Sequence, residues 1–202
     1  MKKYGIFDKW RIDELKYTDI KSTTDPLWTE TEKIMMESFP EHELRAGETR
    51  RKIVENTDFC PVAISTDEDG VIGALYYWNI DGLTYIEHLA VRSDMRGRNV
   101  GTEMLAGFIA GRRILLEIEP PDSELRIRRL NFYRRLGFAE TGISFMHPTF
   151  RRDCEPYLLS VLTFPEAIDM KGFGAFERFF NDVICKYSEK EQTKLLLVTS
   201  AR

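Results

Sequence analysis

The sequence predicts an α/β domain of the three-layer α+β kind: a mixed, mostly antiparallel, twisted sheet of about seven strands with flanking helices. Three observations lead there. Apolar strand-like runs and amphipathic helical patterns follow one another in the order β-α-α-β-β-β-α-β-α-β-β. Asp81-Gly82, between two strand-like runs, is a strong hairpin turn. A glycine-containing turn, Arg96-Gly97-Arg98-Asn99-Val100-Gly101, joins an apolar strand to an amphipathic helix.

Taken in order, residues 11–17 read as a first strand. Asp25-Pro26 starts a helix, with Asp as N-cap and Pro in the first turn, running to about Ser38. A loop holding Pro40, Glu41, His42 and Glu43 leads to a second helix that ends near Asn56. Strands are expected at 59–65 and 71–78, separated by the turn Asp67-Glu68-Asp69-Gly70, and then at 83–91. The next helix carries Val100, Met104, Leu105, Phe108 and Ile109 on one side and ends near Gly111. Residues 114–118 are almost all apolar, as in a strand buried on both faces. Pro120-Pro121 ends it, Asp122 or Ser123 caps another helix, and Gly137 closes that helix. Residues 138–147 and 157–164 are the last two strands of the core.

At 202 residues the chain is long enough for one domain with a real core, and 43% hydrophobic with 31% charged residues suits a soluble globular protein. A net charge of -4 gives no electrostatic case for nucleic acid, and the arginines at 126, 128, 129, 134 and 135 read as a solvated helix face. Residues 1–10 lack the apolar core of a secretory signal, and no run reaches 18 apolar residues, so no membrane partner is expected. Cys60, Cys154 and Cys185 are few and far apart, and read as reduced thiols of a cytoplasmic protein; with three histidines and no ligand spacing, no metal is expected.

The turn at 96–101 is built for phosphate. The first turn of a helix offers unpaired N–H groups and the positive end of the dipole. Its glycines do not fit G-x-G-x-x-G, and no Lys-Ser or Lys-Thr pair completes a P-loop. It resembles instead the acetyl-CoA signature R/Q-x-x-G-x-G/A of the GCN5-related N-acetyltransferases (GNAT), with Arg96 first, Gly101 last, and Asn99 where glycine is usual. Asn tolerates a left-handed backbone better than most residues. The element order over 11–164 resembles the family's too, as does Asn131-Phe132-Tyr133-Arg134-Arg135-Leu136-Gly137-Phe138, similar to its Y-x-x-x-G-F segment.

The resemblance implies the acyl-CoA N-acyltransferase fold, with a splayed central strand pair. It implies that the backbone of Leu89, Ala90 and Val91 binds the pantetheine arm of acetyl-CoA, and that one N–H there polarises the thioester carbonyl. The N–H groups from Gly97 through Arg98, Asn99, Val100 and Gly101 to Thr102 would hold the pyrophosphate, with added charge from Arg96 or Arg98. Tyr133 would face the sulfur as general acid. Many members carry Asn about seven residues before that Tyr; Arg126 stands there here, and Asn131 is the substitute.

The acceptor amine sets the energetic problem: an ammonium of pKa ~10.4 costs about 4.6 kcal/mol to deprotonate at pH 7, so a base is useful. Glu87 is the first candidate, against a structural alternative; alternation puts Tyr85, Glu87 and Leu89 on one face and Ile86 and His88 on the other. Glu117 reads as structural rather than basic, and His88 as a packed or surface histidine; His147 ends a strand on the acceptor side. The carboxylates Glu41 and Glu43 suggest a cationic amine, either a small molecule or a peptide. Direct attack in a ternary complex is the leading reading, and a catalytically silent acyl-CoA-binding regulatory module the alternative. Residues 1–164 form the catalytic domain in this scheme, and 165–202 a helical extension and tail packed on it. Ile168, Phe173, Phe176, Phe180, Val183, Ile184 and Tyr187 form its apolar stripe, which either packs on the domain or makes a homodimer surface. Residues 195–198 are either a partner-bound strand or a mobile tail.

Overall fold

The computed structural model describes residues 14–190 and 194–199. The elements are β1 (Lys16–Asp19), α1 (Pro26–Ser38), α2 (Gly47–Lys52), β2 (Phe59–Thr66), β3 (Gly70–Ile80), β4 (Leu83–Val91), α3 (Val100–Ile109), β5 (Ile114–Ile118), α4 (Glu124–Arg135), β6 (Ala139–His147), β7 (Tyr157–Phe164), α5 (Met170–Asp182) and β8 (Leu196–Thr199), with short 3₁₀ turns between some of them. The order agrees with the sequence pattern through β7. Of the expected first strand, residues 11–13 lie outside the described residues. Local chemistry explains the boundaries: the Asp25 side chain accepts from the Leu27 N–H at the head of α1, and the Ser123 side chain accepts from the Arg126 N–H at the head of α4.

One eight-stranded sheet runs β1-β2-β3-β4-β5-β7-β6-β8. Only β4 and β5 are parallel neighbours. They pair through Thr84↔Ile114, Tyr85↔Leu115 and Ile86↔Leu116 and then part, so the edge of β4 beyond Ile86 has no strand beside it. That opening places the site.

Both faces of the sheet are covered. Trp28, Met35, Tyr76, Trp78, Tyr85, Phe145 and Phe150 form a core with α1 and α5; Ile72, Leu75, Ile86, Met104, Leu105 and Leu130 form another with α3 and α4. Leu115 enters the first and Ile114, Leu116 and Ile118 the second, as expected of a strand buried on both sides. Gly73 lets α3 sit close: a Cβ there would come within 2.8 Å of the Ala90 carbonyl oxygen and 2.3 Å of the Met104 methyl.

Three expectations are corrected or resolved. The sheet has an eighth strand, because 196–199 pairs antiparallel with the outer edge of β6, from Ile143↔Thr199 to Met146↔Leu196. An edge strand leaves N–H and C=O groups unpaired, and this segment satisfies them within the chain, so it is neither a partner's strand nor a mobile tail. The apolar stripe of α5 faces inward: Phe173, Phe176 and Phe180 are each 0% exposed, packed on Tyr85 and Phe145, so this face is not open for a second copy.

The third correction concerns β4. Its register against β3 goes from Tyr77↔Ile86 to Tyr76↔His88, leaving Glu87 as an extra residue in a β-bulge. A bulge interrupts alternation. Glu87 bonds to Trp78 and His88 packs edge-on against Phe39, so both face the α1/α5 side, whereas Leu89 packs with the core on the other side. The expected grouping of Tyr85, Glu87 and Leu89 therefore fails at Leu89, and His88 changes sides.

Candidate active site

Where β4 and β5 part, a cavity of about 590 Å³ opens. Leu89, Ala90, Val91, Arg96, Gly97, Asn99, Val100, Gly101, Thr102, Glu87 and Tyr133 all line it. Arg98 and Asn131 do not: the Arg98 guanidinium lies against the Met95 sulfur, and the Asn131 Oδ1 accepts from Arg134.

One half of the cavity is backbone. Asn99, with φ 64° and ψ 4°, is left-handed, and Gly97 has φ 75°. Asn bears that conformation at modest cost, which is why it can stand in the glycine position. Among the described residues no protein acceptor is found for the N–H groups of Gly97, Arg98, Asn99, Val100 and Gly101, while those of Thr102 and Glu103 return to the Asn99 carbonyl. These free donors cluster at the head of the ten-residue helix α3. At Gly101 a Cβ would sit 3.3 Å from the Val91 side chain, so the turn closes tightly on the end of β4. Arg96 braces the same corner: its Nε donates to the Val91 carbonyl (3.0 Å) and its guanidinium to the Ser38 hydroxyl (2.7 Å). Of the α4 arginines, Arg126, Arg128, Arg129 and Arg134 are ion-paired to carboxylates; Arg135 has no such partner among the described residues and lines the cavity. The open edge of β4, the free N–H cluster and the close approach at Gly101 suit an extended amide chain ending in phosphates.

The other half is side chains. Arg45, from the segment between α1 and α2, is buried with its guanidinium carbon 3.7 Å from the centre of the Phe150 ring and one nitrogen 2.7 Å from Glu87 Oε1. Both side chains of this pair are 4% exposed. The Trp78 indole N–H donates to Glu87 Oε2 at 3.2 Å. Burial pushes the Glu87 carboxyl up, but the Arg45 guanidinium, together with His88 and the Trp78 N–H, holds it below the ordinary carboxylate value. Glu87 is thus an ionised group, its Oε2 bonded to Trp78 and its Oε1 held by the charge of Arg45 without a hydrogen bond.

Glu117 is the opposite case. Burial raises its carboxyl to about 8, against a hydrogen bond from Tyr85 and with the negative Glu87 adding to the rise. Its Oε1 is buried without a partner, and the residue lines the cavity. Burial also pushes the Tyr133 phenol up to about 12 and depresses the His147 ring to about 3, so His147 is neutral across the working range. His147 stacks on Tyr157 (5.1 Å, 27°) and its Nδ1 accepts from the Thr149 N–H. Neutral His88 meets the Glu43 carbonyl at 3.3 Å, its ring depressed chiefly by burial.

Arg45, Phe150, Tyr157 and Arg135 were not singled out from sequence. One signal pointed to Arg45: a carboxylate inside an apolar strand needs a buried cation, and Glu87 had none nearby in sequence.

Residues 58–140 match the family profile described as an acetyltransferase (GNAT) domain. Among solved structures, a GNAT-family protein from Bacteroides thetaiotaomicron is 26% identical over 84% of this chain and 97% of its own, with a TM-score of 0.77. The ribosomal-protein-S18-alanine N-acetyltransferase of Escherichia coli shares the fold at 14% identity and TM-score 0.53, over 77% of this chain and 96% of its own. A GNAT family acetyltransferase from Elizabethkingia anophelis with acetyl-CoA bound does so at 14% identity and TM-score 0.53, over 75% of this chain and 97% of its own. No curated protein matches by sequence. No helix among the described residues is long and apolar enough to cross a membrane.

Proposed function

We propose that this chain, whose residues 58–140 match an acetyltransferase (GNAT) domain profile, is a GNAT acetyltransferase: an acetyl-CoA-dependent N-acetyltransferase acting on a primary amine by direct attack in a ternary complex. One observation carries this: the open β4 edge leads into a helix head rich in free N–H groups, and the same cavity holds a buried carboxyl group, Glu117, with one oxygen unpaired.

When bound, acetyl-CoA supplies the activated acetyl group. The backbone of Leu89, Ala90 and Val91 takes the pantetheine arm as a neighbouring strand would, and one N–H there polarises the thioester carbonyl. The N–H groups from Gly97 to Gly101 hold the pyrophosphate, and Arg135, the arginine of α4 without an ion pair, reaches a phosphate.

Glu117, rather than Glu87, takes the proton from the attacking amine. A carboxyl near pKa 8 is, once ionised, a stronger base than one held low by Arg45, and its Oε1 is free to take the proton. Glu87 instead fixes Arg45 and the bulge. Tyr133, with its phenol near 12, is poorly suited to hand over a proton early: transfer to a thiolate near 8.5 runs uphill by about 5 kcal/mol. Its role is to donate a hydrogen bond to the departing sulfur as negative charge builds there. Tyr133→Phe should lower kcat roughly 10- to 1000-fold; an unchanged kcat at saturating acetyl-CoA would remove Tyr133 from the mechanism.

The activity test pairs thiol release over a mixed amine panel with calorimetric titration of acetyl-CoA. Amine-dependent release of free CoA is expected. Tight binding with no turnover on any amine would support the silent acyl-CoA-binding module instead.

A further inference from the structure

The acceptor half of the cavity contains more carboxyl groups than one amine needs. Glu119 is paired to Arg126 and Arg129, Glu87 to Arg45, and Glu41 to Arg151. Two carboxylates lining the cavity lack such a partner. Glu117 Oε1 has no hydrogen-bond partner at all, and Glu43 has only the His42 ring, at 3.8 Å.

The two carboxylates sit at different depths. Glu117 pairs with Val161 across β5 and β7, whereas the Tyr157 ring, which meets His42 edge-on at 5.8 Å, starts the same strand. Four residues of extended chain separate Val161 from Tyr157, roughly 13 Å. Along the backbone, the two positions are offset by more than one ammonium spans. The Tyr157 ring, stacked on His147, lines the cavity at the outer end, and aromatic rings attract cations. Burial and the nearby Glu119 raise the Glu43 carboxyl, against the pull of His42, Arg129 and Arg126.

We propose that the acceptor is a dibasic amine, whose reacting nitrogen lies at Glu117 while its second positive group lies between Glu43 and the ring of Tyr157. This rests on the acetyl-transfer reading above and narrows it: every alkyl amine is cationic at neutral pH, and a second charge would give Glu43 a closer cation than the His42 ring at 3.8 Å.

The test compares α,ω-diamines of increasing length with the amino alcohol of each matching length, at saturating acetyl-CoA. At the best length the diamine should exceed its amino alcohol in kcat/KM by at least about tenfold, mostly through KM. Glu43→Gln should bring that ratio close to one, Glu43→Asp should keep part of it, and Glu124→Gln, on the far side of α4, should leave it alone. Turnover with equal kcat/KM for both members at every length would overturn the dibasic acceptor and leave acetyl transfer standing. A ratio that survives Glu43→Gln would overturn the part assigned to Glu43. Acetyl-CoA binding with no turnover on any amine would bring down both.

Discussion

The two halves of the cavity are made in different ways. The half proposed to hold the cofactor is continuous in sequence: one strand edge, one turn and the head of one helix, contributing mainly backbone N–H groups. The acceptor half is assembled from Glu43 and Arg45 before α2, Glu87 on β4, Glu117 on β5, His147 at the end of β6 and Tyr157 on β7. The first depends on dihedral angles and tolerates side-chain change; the second depends on individual charges and tolerates almost none.

The contrast is sharpest under mutation. Glu117→Gln is expected to lower kcat/KM by about 10²- to 10⁴-fold, with the calorimetric affinity for acetyl-CoA held within about threefold. A comparable loss in both quantities would merge the two halves into one.

Arg45→Met should be felt as stability. It strands the Glu87 carboxylate in the core beside Trp78, and removing one partner of a buried pair costs about 3–5 kcal/mol. A large fall in melting temperature is expected, partly restored by adding Glu87→Gln; no recovery in the double variant would mean that Arg45 acts through Phe150 alone.

Glu87→Gln by itself separates positioning from catalysis. If Glu87 were the base, the variant would lose the ionisation that governs the acid side of the pH profile. With Glu117 as base, removing the neighbouring negative charge lowers the Glu117 value from about 8, so the same limb persists and moves to lower pH.

The smallest effect belongs to the cofactor half. Asn99 already sits at φ 64°, so Asn99→Gly should change the KM for acetyl-CoA by less than about threefold, whereas Asn99→Val, which resists that conformation, should raise it clearly. Equal behaviour of the two variants would mean that the turn's backbone does not set cofactor affinity.

The same division explains what could be read from the chain. Strand β5, the Asp81-Gly82 hairpin, the Asp25 cap and the 96–101 turn all depend on residues near one another in sequence, and periodicity or turn chemistry reveals them. The bulge at Glu87 depends on how β4 meets β3, and it undid a face assignment made from alternation alone. Arg45 gives no local sign of burial; its place is fixed by Glu87, Phe150 and Trp78, from elements far away in sequence. Residues 196–199 became a strand because the outer edge of β6 was there to receive them.

The most direct measurement of the chemistry is the pH dependence of kcat/KM for the wild type beside Glu117→Gln. The base must be ionised to act, so the wild-type value should rise about tenfold per pH unit toward a limb near pH 8, then fall as the free amine loses its charge near ~10.4. In Glu117→Gln the residual activity should show no limb near 8. An unchanged limb in that variant would contradict Glu117 as the base of this site.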